Sequence, residues 1–262
     1  MATTTELPLE AIPKVPVEEW RRLAPEQFRS FIAELRELSP EEWDLPTDCD
    51  RWSVKDIVSH ILGWAHATVS PREGVHQFRA GFAYRKELGN VLNGQNEVQV
   101  EDRRSMTPEE LIAALEYWYP KFLKFRKRVG GNVSRVVPFA YPTIGFTNLT
   151  YLMNTIFMRD MLAHRVDIST AVKRPVRRTM VEDRIVEDCM KEWASLSKAN
   201  ATLRISGMGA GQYRAGRGDV ATITTDGAQM VRVLAKRAQP SEVEIDGDRA
   251  SAERWLAVGC PF

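Results

Sequence analysis

The sequence predicts an α+β protein with two parts, a four-helix bundle over residues 1–172 and a small α+β domain over residues 179–262. Apolar residues recur at helical spacing in four long segments before residue 172, which is the helix count of a bundle. The string KRPVRR at 173–178 has the charges and the proline that are typical of a solvated linker. Beyond it, helical patterns alternate with short β-branched runs, which indicates strands mixed with helices.

The first two helices are predicted from the spacing of their apolar residues. In residues 17–38, large apolar side chains recur every three or four positions. Ser53 is placed to cap a second helix running towards Thr68, because a serine oxygen accepts a hydrogen bond from an amide of the first turn. His60 shares the apolar face of that helix with Trp64, so it is expected to point towards the core.

Two further helices complete the predicted bundle. Thr107 begins the third, with a capping-box glutamate three positions later. The fourth covers residues 148–171. Residues 69–105 lie between the second and third helices and show only a weak pattern. This segment is long for a structureless connection, so we expect it to contain short helices that form the rim of a pocket.

The second part begins with an amphipathic helix over residues 181–197. Strands are predicted at 202–205, 220–224 and 241–245, and Asp226 is placed to cap a further helix. A glycine-rich segment, GMGAGQYRAGRG, lies between the first two strands. It contains neither the phosphate-loop nor the dinucleotide-binding pattern, so a hairpin or a flexible loop is expected there.

Composition excludes several classes of function. The 262 residues are 44% hydrophobic and 27% charged, with a net charge of +1, so neither nucleic acid nor a membrane surface is an expected partner. The three cysteines form no CxxC pair, which favours inert thiols in a reducing compartment over a disulfide framework. Residues 1–15 are predicted to be a loose arm and do not resemble a secretory signal. A cytoplasmic protein is expected, and its oligomeric state is open.

The fourth predicted helix carries the strongest chemical signal. Asp160, His164 and Asp167 share its apolar face, and a buried carboxylate must be paired or bound to a metal. Asp160 and His164 are four positions apart and therefore adjacent on the helix. That spacing alone fits a metal site and a hydrogen-bonded core histidine equally well. His60 offers a third inward-facing ligand from another helix, which favours the metal.

Three segments of the chain carry a resemblance to a known family. WSVKDIVSHILGW, DMLAHRVDI and ATITTDGAQMVRVLAKRAQPSEVEIDGD resemble the mycothiol-dependent maleylpyruvate isomerase family of DinB-like proteins. The resemblance implies a DinB-like four-helix bundle that holds a divalent metal, followed by a small α+β domain resembling sterol carrier proteins. It places the metal ligands at His60, Asp160 and His164. Enzymes of the family usually have glutamate where this chain has Asp160.

The resemblance also implies a reaction. Two nitrogens and one oxygen suit zinc, although nickel, manganese or iron fit the same ligands. Metal binding deprotonates a thiol, so mycothiol or a similar low-molecular-weight thiol becomes a nucleophile towards a small electrophile such as maleylpyruvate. The outcome is isomerisation or S-transfer. Asp167 is a candidate to orient His164 as a hydrogen-bond acceptor.

The family further implies an arginine from the C-terminal domain that binds substrate carboxylates or developing negative charge. Arg214 and Arg217 are the candidates here, with Arg204 as a third. One alternative is a non-enzymatic stress or ligand-binding protein that keeps the bundle and the metal, and Asp160 in place of glutamate favours it. A carrier of an apolar ligand is a weaker alternative, because the short strands and charged helices indicate no large apolar tunnel.

Overall fold

Helices form the N-terminal part of the molecule, and a mixed five-stranded sheet with helices forms the C-terminal part. The computed structural model describes residues 6–49, 51–129, 138–141 and 145–262. The predicted α+β class is confirmed. None of the described helices combines the length and the apolar character needed to cross a bilayer.

The longer N-terminal helices follow the predicted order. A short helical turn (Leu149–Tyr151) and a π-helical segment (Leu152–Ile156) lead directly into the last of them, where the sequence predicted one continuous helix. In the part of the chain that the structure describes, the longer helices of this region are α1 (Val17–Leu35), α2 (Val54–Val69), α3 (Pro71–Tyr84), α4 (Val91–Glu101), α5 (Pro108–Val129) and α6 (Phe157–Val172).

The start of α2 follows from its predicted cap. The Ser53 hydroxyl accepts a hydrogen bond from the Asp56 amide at 3.2 Å, and the Asp56 carboxylate accepts one from the Ser53 amide at 2.9 Å. This reciprocal pair satisfies two amides that would otherwise lack helical partners. It fixes the first turn of α2 and therefore the direction in which His60 points.

Helices α3 and α4 fill the segment that was expected to hold short helices. A Cβ atom on Gly94 would lie only 2.3 Å from the carbonyl oxygen of Gly81. The two helices therefore pack backbone against backbone at this point, and a larger residue would push them apart. Their close packing brings the glutamines of both helices towards α2.

The C-terminal part contains a sheet whose strands are, in spatial order, β1 (Leu7–Pro8), β5 (Gly211–Ala215), β4 (Ala201–Ser206), β6 (Ala221–Asp226) and β7 (Glu244–Gly247). β5 lies within the glycine-rich segment and pairs antiparallel with β4, so the hairpin alternative is confirmed. A separate antiparallel pair of strands, β2 (Pro138–Tyr141) and β3 (Gly145–Asn148), precedes α6. The longer helices described in this part are α7 (Met180–Ser197), α8 (Gly227–Leu234) and α9 (Arg249–Val258).

The N-terminal segment is not a loose arm, and that expectation was wrong for the described residues. Strand β1 pairs in parallel with β5, at the edge of the C-terminal sheet. Leu9, Ile12 and Val15 are buried in the same core as α7 and the sheet. The apolar residues of this segment are too few to form a helical pattern, but they stabilise the fold by covering the sheet.

A buried ion cluster joins the two parts. The Arg165 guanidinium on α6 donates to both carboxylate oxygens of Glu34 on α1, each at 2.8 Å. It also donates to Glu182 on α7. The side chains of Arg165 and Glu182 are completely shielded from solvent. These contacts hold α6, the helix that carries the predicted metal ligands, between α1 and α7.

Candidate metal site

The three predicted ligands converge on one point. Nε2 of His60 lies 3.7 Å from Oδ2 of Asp160, and Nε2 of His164 lies 3.4 Å from Oδ1 of the same carboxylate. One ligand atom from each side chain lies within 4.8 Å of the others. Bonds of about 2.1 Å to a tetrahedral ion place neighbouring ligand atoms about 3.4 Å apart. The shorter aspartate therefore reaches the same point as the two imidazoles.

A chain of hydrogen bonds orients His60 from behind. Its Nδ1 donates to Oε1 of Gln99 at 2.7 Å, and Nε2 of Gln99 donates to Oε1 of Gln77 at 2.8 Å. Gln77 in turn donates to the Glu73 carboxylate at 2.8 Å, and Arg103 donates to that carboxylate at 2.9 Å. Because a carboxylate only accepts, it sets the direction of every amide in the chain. His60 is thereby held with its Nε2 lone pair facing Asp160.

The approach of Gln99 depends on a glycine in α2. A Cβ atom on Gly63 would lie 2.5 Å from the Cβ of Gln99, so α4 approaches α2 closely because this position has no side chain. The role of Gln77 and Gln99 was not predicted from the sequence. The only signal in the sequence is that both glutamines lie in segments that also contain glycines. This signal does not show which residue the glutamines contact, because the contact depends on how the helices pack.

His164 is oriented in the same way, also through its Nδ1 atom. Its Nδ1 lies 3.0 Å from Oδ2 of Asp167, which is completely buried. The imidazole donates to that carboxylate, and Nε2 is left facing Asp160. Both histidines thus use Nδ1 for an outer hydrogen bond and present Nε2 to the shared point, which is the arrangement typical of metal-binding histidines.

Electrostatics make the three side chains a strongly coupled set. Burial lowers the pKa of His60, and the neighbouring carboxylate opposes this only in part. Burial alone would lower the pKa of His164, but the charge of Asp160 outweighs it and raises the value to about 9. Burial alone would raise the pKa of Asp160, and the charge of His164 reverses that direction. A cation at this point would take the place of the proton on His164.

The ligands lie at a cavity of about 890 Å³ that is open to solvent. Helix α4 contributes a series of carboxamides, including Asn93, Asn96 and Gln99. Apolar surface comes from Trp52, Trp64 and Phe157, among others, and the Trp52 ring lies 4.9 Å from the His60 ring. The π-helical segment before α6 also lines this cavity, and π turns often occur at functional sites.

A C-terminal arginine reaches this cavity, but it is not one of those predicted. Arg237 follows α8, lines the cavity and lies 3.4 Å from the Asp167 carboxylate. Arg204, Arg214 and Arg217 are not among the lining residues of the described chain. Arg214 instead donates to the carbonyl of Gly216 in its own hairpin, at 3.1 Å. Arg237 stands in one of the segments that carry the resemblance, so the signal was present.

One cysteine also lies beside the ligands. Cys49 lines the cavity, and one ligand atom each of Cys49, His164 and Asp167 lies within 4.8 Å of the others. The sequence favoured inert thiols over metal ligands for all three cysteines. The structure places this thiol next to a candidate ligand, in the connection before α2.

Replacing Gln99 with leucine is expected to weaken metal binding by about 10–100-fold, because His60 then loses the acceptor that orients its ring. Competition with a chromophoric chelator measures the affinity. Asn96→Leu is the matched control, since Asn96 lines the cavity on the same helix and no hydrogen bond in the described chain links it to either histidine. Equal affinities of the two variants would show that the amide chain does not position His60.

Comparisons with known proteins agree with this architecture. Residues 24–169 match the family described as the mycothiol maleylpyruvate isomerase N-terminal domain. A crystal structure of the mycothiol-dependent maleylpyruvate isomerase superposes with a TM-score of 0.57 at 16% identity, covering 91% of this chain and 95% of that one. A histidine-to-alanine mutant of that enzyme gives a TM-score of 0.58 at 14% identity, with the same coverage. A comparison with curated proteins finds no match.

Proposed function

The chain belongs to the mycothiol maleylpyruvate isomerase N-terminal domain family, and on that premise we propose a metal-dependent enzyme that uses a small thiol. The thiol is mycothiol or a close analogue, and the reaction is isomerisation or S-transfer on a small electrophile such as maleylpyruvate. One observation carries the proposal: His60, Asp160 and His164 present two nitrogens and one oxygen to a single point beside an open cavity. Three protein ligands leave a position for another molecule.

The donor set fits a first-row divalent cation. Each histidine engages Nδ1 elsewhere, so Nε2 of each imidazole faces Asp160 and is the nitrogen that would bind the ion. Zinc suits two nitrogens and one oxygen, and nickel, manganese and iron are possible occupants of the same set. When bound, the cation supplies the positive charge that keeps a thiol deprotonated at neutral pH.

Arg237 is the residue best placed to hold an anionic substrate. Its guanidinium lies at the cavity, and 26% of the side chain remains exposed. The ion pair with buried Asp167 holds it in place, because that carboxylate has no access to solvent. Nitrogens not used in that contact are available to a carboxylate or to developing negative charge on the electrophile. Asp167 therefore both orients His164 and holds Arg237 in place.

The remaining cavity wall suits a polar thiol. Asn93, Asn96 and the other α4 carboxamides offer both donors and acceptors to hydroxyl and amide groups of a ligand. Trp52 and Phe157 provide apolar surface beside the metal ligands, which limits the access of water to them. A thiol with a hydroxyl-rich body and an electrophile with a carboxylate would together contact both the polar and the apolar surface of the cavity.

The direct test supplies zinc-loaded protein with mycothiol and maleylpyruvate, and then with a panel of other small electrophiles. Isomerisation is expected to proceed without net loss of thiol, whereas S-transfer consumes one thiol for each electrophile. Product formation and thiol content are measured in parallel. Turnover that is independent of thiol would contradict the proposal.

Replacing Arg237 with glutamine is expected to lower kcat/KM by about 10²–10³-fold, because a positioned cation no longer meets the negative charge of the reacting molecule. Metal content should stay at the wild-type level, since Arg237 is not a ligand. Arg217→Gln is the matched control, because Arg217 is exposed and does not line the cavity. A wild-type rate for Arg237→Gln would remove this residue from the proposed site.

A non-enzymatic metal-binding protein of the same fold is the second candidate. Asp160, in place of the family's usual glutamate, is the observation that favours it. In that case the protein binds metal, and the thiol and electrophile panel gives no turnover. Metal content together with the activity assay separates the two functions.

A further inference from the structure

Two of the three cysteines lie together in the C-terminal part of the fold. Cys189 is on α7 and is buried in the core, and Cys260 follows α9 and is half-buried against that core. One guanidinium contacts both segments: Arg159 donates to Sγ of Cys260 at 3.1 Å and to the carbonyl of Asp188, the residue before Cys189, at 3.3 Å. Sequence spacing gave no reason to pair them, because contacts between α7 and the C-terminal segment depend on the tertiary structure.

A buried cation lies against one sulfur of this pair. Nη1 of Arg159 donates to Sγ of Cys260 at 3.1 Å, while the same guanidinium binds Asp188 at 2.5 Å and Glu192 at 2.7 Å. The two carboxylates fix the arginine in position. The contact with Arg159 therefore fixes the position of the Cys260 sulfur within this buried cluster.

The backbone holds Cys260 in place. Its amide donates to the carbonyl of Leu234 at 3.0 Å, and the carbonyl of Pro261 accepts from Arg159 at 3.2 Å. These bonds keep the Cys260 sulfur beside Cys189 rather than in solvent. Phe262, two residues further along, lines the cavity that contains the metal ligands.

We propose that Cys189 and Cys260 are an oxidisable dithiol that a low-molecular-weight disulfide converts into an intramolecular disulfide. The pair is a modification site separate from the metal ligands. The small disulfide is the oxidant, and the reaction needs neither the metal nor the activity proposed above.

The exchange takes place in two balanced steps. The Cys260 sulfur attacks one sulfur of the small disulfide, the reagent's S–S bond breaks, and one small thiol leaves with the proton from Cys260. The Cys189 sulfur then attacks the Cys260 sulfur, and the second small thiol leaves with the proton from Cys189. Each protein sulfur loses one electron, and the reagent is reduced to two thiols.

The order of the steps follows from burial. Cys260 is the more accessible sulfur and is the one beside Arg159, so it meets the reagent first. Burial raises the pKa of the Cys189 thiol, which disfavours direct attack on a reagent in solution. Cys189 lies close to Cys260, so the Cys189 sulfur resolves the mixed disulfide on Cys260. The cross-link ties the segment that carries Phe262 to α7. Because Phe262 lines the cavity, the redox state of the two cysteines then affects the cavity wall.

Peptide mapping of the full-length protein without reduction tests the proposal, with oxidised glutathione as the small disulfide. The expected product joins the peptides that contain Cys189 and Cys260, has lost two hydrogen atoms, and reverts with dithiothreitol. Cys189→Ala should retain glutathione on Cys260, and Cys260→Ala should leave Cys189 unmodified. Cys49→Ala is the matched control and should form the cross-link like the wild type.

The wild-type map decides the question even where a variant fails to fold. Unmodified Cys189 and Cys260, glutathione that persists on Cys260, or a cross-link to Cys49 would each overturn the assignment. A second measurement compares melting temperatures before and after oxidation, which should rise in the wild type and in Cys49→Ala because the cross-link restricts the unfolded chain. An unchanged melting temperature in a fully cross-linked sample would contradict the tethering of the C-terminal segment.

Discussion

Alanine at His164 should abolish metal binding. Protein purified without added metal is expected to contain about one equivalent of a first-row divalent ion, and His164→Ala should fall to background because only His60 and Asp160 remain as ligands. His60→Ala should have the same effect. Elemental analysis of the purified proteins measures the metal content directly.

His76→Ala is the matched control for this experiment. His76 lies on α3 with an exposed side chain, and its Nε2 is 2.8 Å from the Asp102 carboxylate. Its removal changes one surface contact and leaves the three ligands untouched, so metal content should stay at the wild-type level. Loss of metal in His76→Ala, or retention in His164→Ala, would place the ion somewhere other than at the three converging side chains.

Methionine at Arg165 is expected to lower the free energy of unfolding by about 3–5 kcal/mol, because Glu182 would remain buried without its cation. Thr179 still donates to Glu182 through its amide and hydroxyl, which limits the loss but does not neutralise the charge. Chemical denaturation followed by circular dichroism measures the change. Methionine keeps most of the side-chain volume, so the effect reports the charge rather than a cavity.

The control is a second arginine ion pair near the same helix. Arg174 lies 2.9 Å from Glu42, and its side chain is 44% exposed. Arg174→Met should cost less than about 1 kcal/mol, because solvent screens the pair and hydrates the remaining carboxylate. Similar losses for the two substitutions would show that burial of the Arg165 cluster does not hold α6 against α1 and α7.

Local patterns predicted the parts of the site that depend on one helix. The spacing of Asp160 and His164 places them on one face whatever surrounds them, and the structure keeps both on α6. Ser53 caps α2 as predicted, and this cap fixes where the helix that carries His60 begins. These features rest on contacts between residues three or four apart, and such contacts are set by helix geometry alone.

Other features depend on residues that are distant in the chain. Gln99 contacts His60 across 39 positions, and Arg237 contacts Asp167 across 70. The sequence indicated other arginines, because the contact of Arg237 with Asp167 forms only where α8 packs against α6. Strand β1 was missed for a similar reason, since two residues carry no periodicity and pair only where β5 presents an open edge.

The sequence by itself determined the class of the fold, the longer helices and the three residues that can bind a metal. The tertiary structure decided which nitrogen of each histidine is free, which arginine reaches the cavity, and which cysteines meet. The physical reason is the range of the interactions. Periodicity records contacts within one element, whereas a hydrogen bond between elements depends on how closely their backbones pack, as at Gly63 and Gln99.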